Sequence, residues 1–274
     1  MNLLWLIDSI RFNLSYKKLN FSDPQNFSEK LNYLKKFYRN KFANTVADKV
    51  RVRSYVKDRI GKKYLVPLIK IYNNASEIDF NELPQKFILK TNHGSGWNII
   101  CENKNLLDEQ VVKRKFERWL SWNAYYLFRE WQYKSINPKI LCEKLLEYEI
   151  KDYKVYCFHG KPEYIQVDSG RFSNHTRIIY NTNWVRQDFS ILYPAGDDKI
   201  EKPKKLNEML SISEKLSQDF IFSRIDLYIN ENNIFFGEIT LHPEGGICPI
   251  FPSKADKIFS DKLKLDEINT NNFK

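Results

Sequence analysis

The sequence predicts an α+β protein of two lobes, preceded by a short, basic, helical N-terminal segment. Three observations carry this. The 274 residues suffice for one large domain or two small lobes with a full core. Hydrophobic residues at 42% and aromatics at 15% exclude a disordered tail protein. The character of the chain also changes after Pro138, from helices and one hairpin to a succession of strands.

Taken in order, residues 1–47 read as helical, basic and aromatic. The opening MNLLWLIDSIRF is interrupted by Asp8 and lacks a basic start and a small-residue cleavage site, so an amphipathic helix is expected rather than a signal peptide. In FSEKLNYLKKFYRN, Leu31, Leu34 and Tyr38 recur at helical spacing and Ser28 is the expected N-cap. A second helix is expected from Asp48 to Ile60, closed by Gly61. FILKT and NIIC read as the arms of a hairpin whose tip is NHGSGWN. LLDEQVVKRKFERWLSW has aromatics on one face and charge on the other, as a helix over 107–122 would. KILCEKLL, DYKVYCF, EYIQVD and TRIIYN follow as strands. Then come a helix, LNEMLSISEKLSQ, and two strands, FSRIDLYI and NIFFGEIT, joined at Asn230 to Asn233, with a polar helical tail after Ser253. The expected divisions are 1–47, 48–142 and 143–274, with a lobe boundary near Glu143 to Leu146.

No run approaches the ~20 apolar residues of a membrane-spanning helix. Cys101, Cys142, Cys157 and Cys248 have no paired spacing and are expected to be reduced core residues of a cytoplasmic protein. The four histidines form no metal-ligand pair. The net charge of +10 is uneven: residues 1–67 hold 15 basic and 5 acidic residues, and the other 29 of each sign cancel.

Three places can carry chemistry. Lys90 offers a fixed cation at a strand end, and His93-Gly94-Ser95-Gly96 offers backbone N–H groups to an anion, which together suit a polyphosphate. The plainer reading is a hairpin turn with an exposed lysine. Asp226 and Glu238, with Thr240, lie nearly opposite each other if their strands are antiparallel. Two such carboxylates suit a hard cation shared with phosphates, and Arg224, two residues from Asp226, shares its face. Ile225, Leu227, Phe235 and Ile239 are the expected core face. Ordinary surface ions are the plainer reading. Third, LCEKLLEYEIKDYK crosses between the lobes, where backbone groups can meet a purine edge and carboxylates ribose hydroxyls. Glu143 and Asp152 fit those roles, as would plain charged residues at strand ends.

In this order the three places resemble the ATP-grasp superfamily, whose two lobes grip ATP between them. Lys49 resembles the first nucleotide lysine, Lys90 the second, and His93, Gly94, Ser95 and Gly96 the loop over the phosphates. Glu143, Lys144 and Leu146 resemble the adenine hinge, and Asp152 the ribose acid, with Glu149 as competitor. Arg224, Asp226 and Glu238 resemble an R-x-D … E signature, with Thr240 where many members have asparagine. More narrowly, ADKVRVRSYV, FILKTNHGSGWNII, EWQYKSINPKILCEKLL, DYKVYCFHGKPEYIQVDSGRFSNHTR and FGEITLHPEGG, spanning roughly Phe27 to Pro252, are similar to the TupA-like (teichuronopeptide-biosynthesis) ATP-grasp family.

That resemblance implies an ATP-dependent carboxylate–amine ligase working through an acyl phosphate. Its expected product is the amide of a uronic-acid carboxylate, in a bacterial capsule or cell-wall polysaccharide or its precursor, with an amino acid or other amine. It implies ATP and Mg²⁺, with Mn²⁺ as an alternative. Asp226, Glu238 and Thr240 would take the metal, Lys49, Lys90 and Lys154 the nucleotide, and Arg224 the transferred phosphoryl group. For the acceptor, Arg171 and Arg177 suit a carboxylate, and His175 or His242 the proton of the incoming ammonium. The expected partners are an anionic or lipid-linked glycan, with peripheral association at the inner face of the membrane as an option, and no nucleic acid. The alternatives are a glycosyltransferase, although no D-x-D occurs, a glycan kinase, or a basic RNA- or glycan-binding module built on KKFYRNKF. The basic first quarter reads as an attachment face for the glycan or membrane.

Overall fold

A computed structural model of the chain describes residues 19–146, 150–169, 175–197, 199–229 and 233–266. The opening segment expected to be an amphipathic helix lies outside them before residue 19. The chain divides into two compact units: residues 42–150, and the residues before 42 together with those after 150.

In the unit of 42–150, helices α2 (Ala43–Ala47) and α3 (Val52–Ile60) precede a sheet of β1 (Leu68–Tyr72), β2 (Phe87–Thr91), β3 (Asn98–Cys101) and β4 (Ile140–Lys144). The strand order is β1-β4-β2-β3, antiparallel throughout. Gly61, at φ 100°, closes α3 as expected. Strand alternation sends Phe87 and Leu89 of β2 and Ile140 and Cys142 of β4 to one face. There they bury against Val112 and Phe116 of α4 (Glu109–Leu120). The opposite face carries Lys90 and Glu143. A short helix, α5 (Ala124–Phe128), leads back toward β4.

The other unit is built on β5 (Lys151–Phe158), β6 (Lys161–Ser169), β7 (Thr176–Asn181), β9 (Phe222–Ile229) and β10 (Ile234–Thr240). Their order is β10-β9-β5-β6-β7, again antiparallel. Helix α6 (Leu206–Ser217) packs on β5, β6 and β9. Strands β8 (Ser190–Ile191) and β11 (Ile250–Phe251) form a small separate ladder. Helices α1 (Phe27–Phe37) and α7 (Lys254–Asp261) close a second core.

The N-cap of α1 is Asn26, not Ser28: Asn26 Oδ1 accepts from Glu29 N at 2.9 Å and Glu29 reaches back to Asn26 N at 3.3 Å. Ser28 instead accepts from Cys248 N through its hydroxyl at 2.9 Å. Residues 27–37, expected within a separate segment, belong to the second unit because the apolar stripe Phe27, Leu31 and Leu34 has no core of its own. It buries against Phe158, Phe222 and Phe259, with Phe27 and Phe259 ring centroids 4.6 Å apart. The units part between 150 and 151, a few residues after the expected boundary. All four cysteines are buried and free. Among the described residues, no helix is long and apolar enough to cross a membrane.

Candidate active site

In the unit of 42–150 the glycine loop is held from below by Asn92. Its Oδ1 accepts from Lys139 N at 2.7 Å, and its Nδ2 donates to Asp48 Oδ1 and to the Asn137 carbonyl, both at 3.0 Å. Asp48 Oδ1 also accepts from Val50 N and Arg51 N at the start of α3. One amide therefore joins the end of β2, the entry to α3 and the segment before β4. Lys49 N donates to the Asn92 carbonyl at 3.0 Å, and Lys49 Nζ to the Gly94 carbonyl at 2.6 Å. Lys49 and the His93–Gly96 loop, 44 residues apart at their nearest in sequence, thus meet in the fold.

Each loop residue has a distinct job. A Cβ on Gly94 would stand 2.2 Å from the Trp97 ring, and Gly96 sits at φ +74°. Ser95 and Gly96 are exposed at the tip. His93 is buried, with Nε2 3.0 Å from the Trp122 carbonyl and Nδ1 3.2 Å from Asn92 Oδ1. Its ring braces the loop base against Trp97, at 5.2 Å between centroids. Burial lowers its pKa, against the opposing pull of the Trp122 carbonyl.

Lys90 is 2.6 Å from Glu143 Oε2, and Arg53 NH1 is 2.7 Å from Glu143 Oε1. Glu143 is buried between these two cations and holds Lys90 in place on the sheet face. Lys144 is exposed at the end of β4, on the alternate side of the strand, and Leu146 is half-buried beyond it.

In the other unit, Asp226 pairs with Glu238 and Arg224 with Thr240 across β9 and β10. A bulge makes this possible. From the hairpin end, Phe235 pairs with Tyr228 and Phe236 with Leu227, then the register slips at Gly237 so that Glu238 meets Asp226. An unbroken ladder would set Gly237 there and turn Glu238 to the opposite face. The bulge also corrects the expected core face: Phe236, not Phe235, is buried with Ile234 and Ile239. Arg224 binds Asp226 as a fork, Nε to Oδ1 at 2.7 Å and NH2 to Oδ2 at 2.8 Å, and its NH2 lies 3.8 Å from Glu238 Oε1. Thr240 Oγ1 donates to Glu238 Oε1 at 3.2 Å. Burial raises Asp226 to about 6, against the pull of Arg224 and Lys154, which still leaves a carboxylate at neutral pH.

Lys154, the cross-strand neighbour of Asp226, pairs with Asp152 and lies 3.6 Å from Asp168 Oδ2. Asp168 accepts from Arg177 Nε at 2.7 Å and from Gln166 Nε2 at 3.0 Å, and His175 Nε2 is 3.5 Å away. Burial pushes Asp168 up, but Arg177 and Lys154 outweigh it and hold the carboxyl below its ordinary range. The other arm of Arg177 donates to the Ile191 carbonyl at 2.9 Å, and its NH2 comes within 3.9 Å of Glu244 in the LHPEGG turn. His242 is buried at the start of that turn, its carbonyl accepting from Gly245 N at 3.1 Å. Arg171 and the competing acid Glu149 lie outside the described residues.

The TupA-like ATP-grasp family model matches residues 29–264, most of the chain. The chain belongs to the TupA-like ATP-grasp family. Among solved structures, the D-alanine–D-alanine ligase of Bacillus anthracis is similar at a TM-score of 0.50 and 14% identity, over 87% of this chain and 74% of that one. The enzyme of the same name from Helicobacter pylori gives 0.43 and 17%, over 87% and 68%. N5-carboxyaminoimidazole synthetase of Staphylococcus aureus, complexed with ADP, gives 0.43 and 17%, over 73% and 45%. At such identities the likeness speaks for the fold alone, that of ATP-grasp ligases. No curated protein sequence matches the chain.

The TupA-like chain has a donor set suited to a hard cation. Asp226, Glu238 and Thr240 offer only oxygen, and the Glu238 side chain is 39% exposed. A carboxylate that accepts two N–H bonds from Arg224 keeps lone pairs for a metal. Among the described residues no group of three or more His, Cys, Asp or Glu could hold a metal; two carboxylates are what an Mg²⁺ ion that keeps waters and takes phosphate oxygens requires of a protein. Sequence reasoning missed Asn92, Arg53, Asp168 and Gly237 of this family member. Asp168 had a signal, a polar residue alternating with Gln166 in an apolar strand; the others act through contacts that spacing does not reveal.

Proposed function

We propose that the protein is an ATP-dependent ligase that joins a carboxylate to an amine through an acyl phosphate, and that the carboxylate is a uronic acid of a bacterial surface polysaccharide or its precursor. The observation that carries this reading is the slipped pairing at Gly237, which turns Glu238 onto the Asp226 face beside Arg224. A structural strand pair has no need to aim two carboxylates at one place. The family and the ligase fold support ATP as the co-substrate.

Asp226, Glu238 and Thr240 would hold Mg²⁺, which supplies charge neutralisation to the phosphate oxygens when bound. Lys49 and Lys90 would bind phosphates, with Lys90 oriented by Glu143. The exposed Ser95–Gly96 tip would cover the phosphates and keep water from the acyl phosphate. The carboxylate oxygen attacks the γ-phosphorus and ADP leaves. The amine then attacks the acyl carbon, inorganic phosphate leaves, and the ammonium proton goes to a base for which His175 and His242 are the candidates. Positioning and charge are what the protein must provide. The capsule and cell-wall setting, the amino-acid donor and a membrane-side acceptor belong to the same proposal.

The test is ADP and phosphate release with acidic glycans and an amino-acid panel. Asp226→Asn and Glu238→Gln are expected to lose turnover by ~10² or more while keeping the unliganded melting temperature within a few degrees. Full activity in both variants would sink the metal assignment. ADP without phosphate would instead indicate a glycan kinase.

A further inference from the structure

Helix α5 ends on Arg129 at φ 59°, ψ 17°, a left-handed conformation that glycine adopts freely and other residues at a steric cost. Its N–H does the ordinary capping work, donating to the Tyr125 carbonyl at 2.8 Å, and a glycine would do the same without strain. The reason for arginine must lie in its side chain. That side chain is buried, at 7% exposure, and its NH1 has no hydrogen-bond partner among the described residues. The other two buried arginines among the described residues, Arg177 and Arg224, are each neutralised by an aspartate.

A second cation shares the place. The Arg129 guanidinium carbon lies 5.7 Å and Lys134 Nζ 5.4 Å from the centroid of the Tyr125 ring. Of the adjacent acid, Glu130, Oε2 accepts from Gln132 Nε2 at 2.8 Å. Two cations on one ring with a buried, unsatisfied N–H form a charge arrangement that an anion completes. The segment is also tied to the glycine loop of the same unit. Asn123 Nδ2 donates to the Lys134 carbonyl at 3.1 Å, and the preceding Trp122 holds His93 through its carbonyl.

We propose that Arg129, with Lys134 and Tyr125, forms an oxyanion-binding subsite for the acidic group of the substrate, a sugar carboxylate or a phosphate. The planar guanidinium fork suits either group, and the exposed Tyr126 ring, next to Tyr125 in the chain and 5.2 Å from it between centroids, offers apolar surface for the sugar ring that carries it. The choice of an acidic sugar rests on the function proposed above; the subsite itself does not.

Thermal unfolding of the full chain at fixed ionic strength tests it, with trigalacturonate, its methyl ester and inorganic phosphate as probes. Trigalacturonate is expected to raise the melting temperature and its methyl ester is not. Arg129→Gln should weaken the apparent affinity about tenfold or more, Lys134→Gln less, and Arg129→Lys should keep part of it. A rise given by phosphate instead, and lost in Arg129→Gln, assigns the subsite to a phosphate-bearing substrate. Without any probe, Arg129→Gly should melt no lower than the native chain, because strain and an unneutralised charge leave together. The proposal is overturned if neither trigalacturonate nor phosphate stabilises the native chain, if the methyl ester stabilises it as well as trigalacturonate does, if Arg129→Gln responds equally, or if Arg129→Gly melts lower. Mg-ATP is titrated on the same samples. Stabilisation by the oxyanion but not by Mg-ATP would end the ligase reading and leave the subsite standing, and the reverse result would end the subsite alone.

Discussion

Gly237 governs where Glu238 points. A Cβ at this position would stand 2.9 Å from the Asp226 carbonyl oxygen and 3.3 Å from the Tyr228 ring, so any larger residue forces the bulge open or out of register. Gly237→Ala is expected to cost about 1–3 kcal/mol of stability and, by moving Glu238 off its line, ~10² in turnover. Denaturant unfolding and ADP release measure the two effects. A variant that loses stability but keeps full turnover would show that the bulge does not aim the carboxylate. Two basic residues of the first quarter have structural roles at the same scale. Lys35 is buried and donates to the Gly245 carbonyl at 2.7 Å, while Arg39 donates to the Lys36 and Tyr38 carbonyls at the end of α1. These two cations finish a helix and brace the LHPEGG turn.

The hairpin of β2 and β3 is the element whose chemistry depends most on what lies beneath it. Its sequence announces the turn and the two glycines, but the turn is held by His93, Asn92 and Trp97, all buried. His93 has its pKa lowered from 6.5, chiefly by burial, so the unfolded chain takes up the proton first as pH falls. The stability that His93 contributes is complete above 6.5 and is lost as pH falls from there through the folded-state value. Hydrogen exchange of the amides at 91–98 is expected to quicken between pH 7.5 and 5.5, beyond the intrinsic rate change. His93→Gln should flatten that dependence, and an unchanged slope would mean another group is responsible.

At the scale of the whole molecule, the unit of 42–150 is continuous in the chain and closes on its own core. The other unit is discontinuous, since its second core is completed by Phe27, Leu31 and Leu34 of α1. Each of those side chains contributes about 1.5–3 kcal/mol by burial. Removing residues 1–41 is therefore expected to melt the unit of 151–266 well before that of 42–150, as two separated transitions by calorimetry or pulsed exchange. A single transition, or loss of 42–150 first, would contradict this division of the cores.

The sequence by itself determined the α+β class, the order of the strands and helices, and the residue types of the candidate site. Alternation in FILKT and FSRIDLYI, helical spacing in FSEKLNYLKKF, and the order lysine, glycine loop, hinge and paired acids are all local or ordinal signals that survive in one dimension. Tertiary structure decided the rest. Whether α1 stands apart or completes a core depends on which apolar faces lack a partner. Whether Glu238 meets Asp226 depends on a one-residue slip that alternation cannot report, because a regular strand and a bulged one read alike until they are paired. Whether Arg177 has a guanidinium left for a ligand depends on where Asp168 falls. Sequence names the charges, but only the folded chain decides which of them are already neutralised.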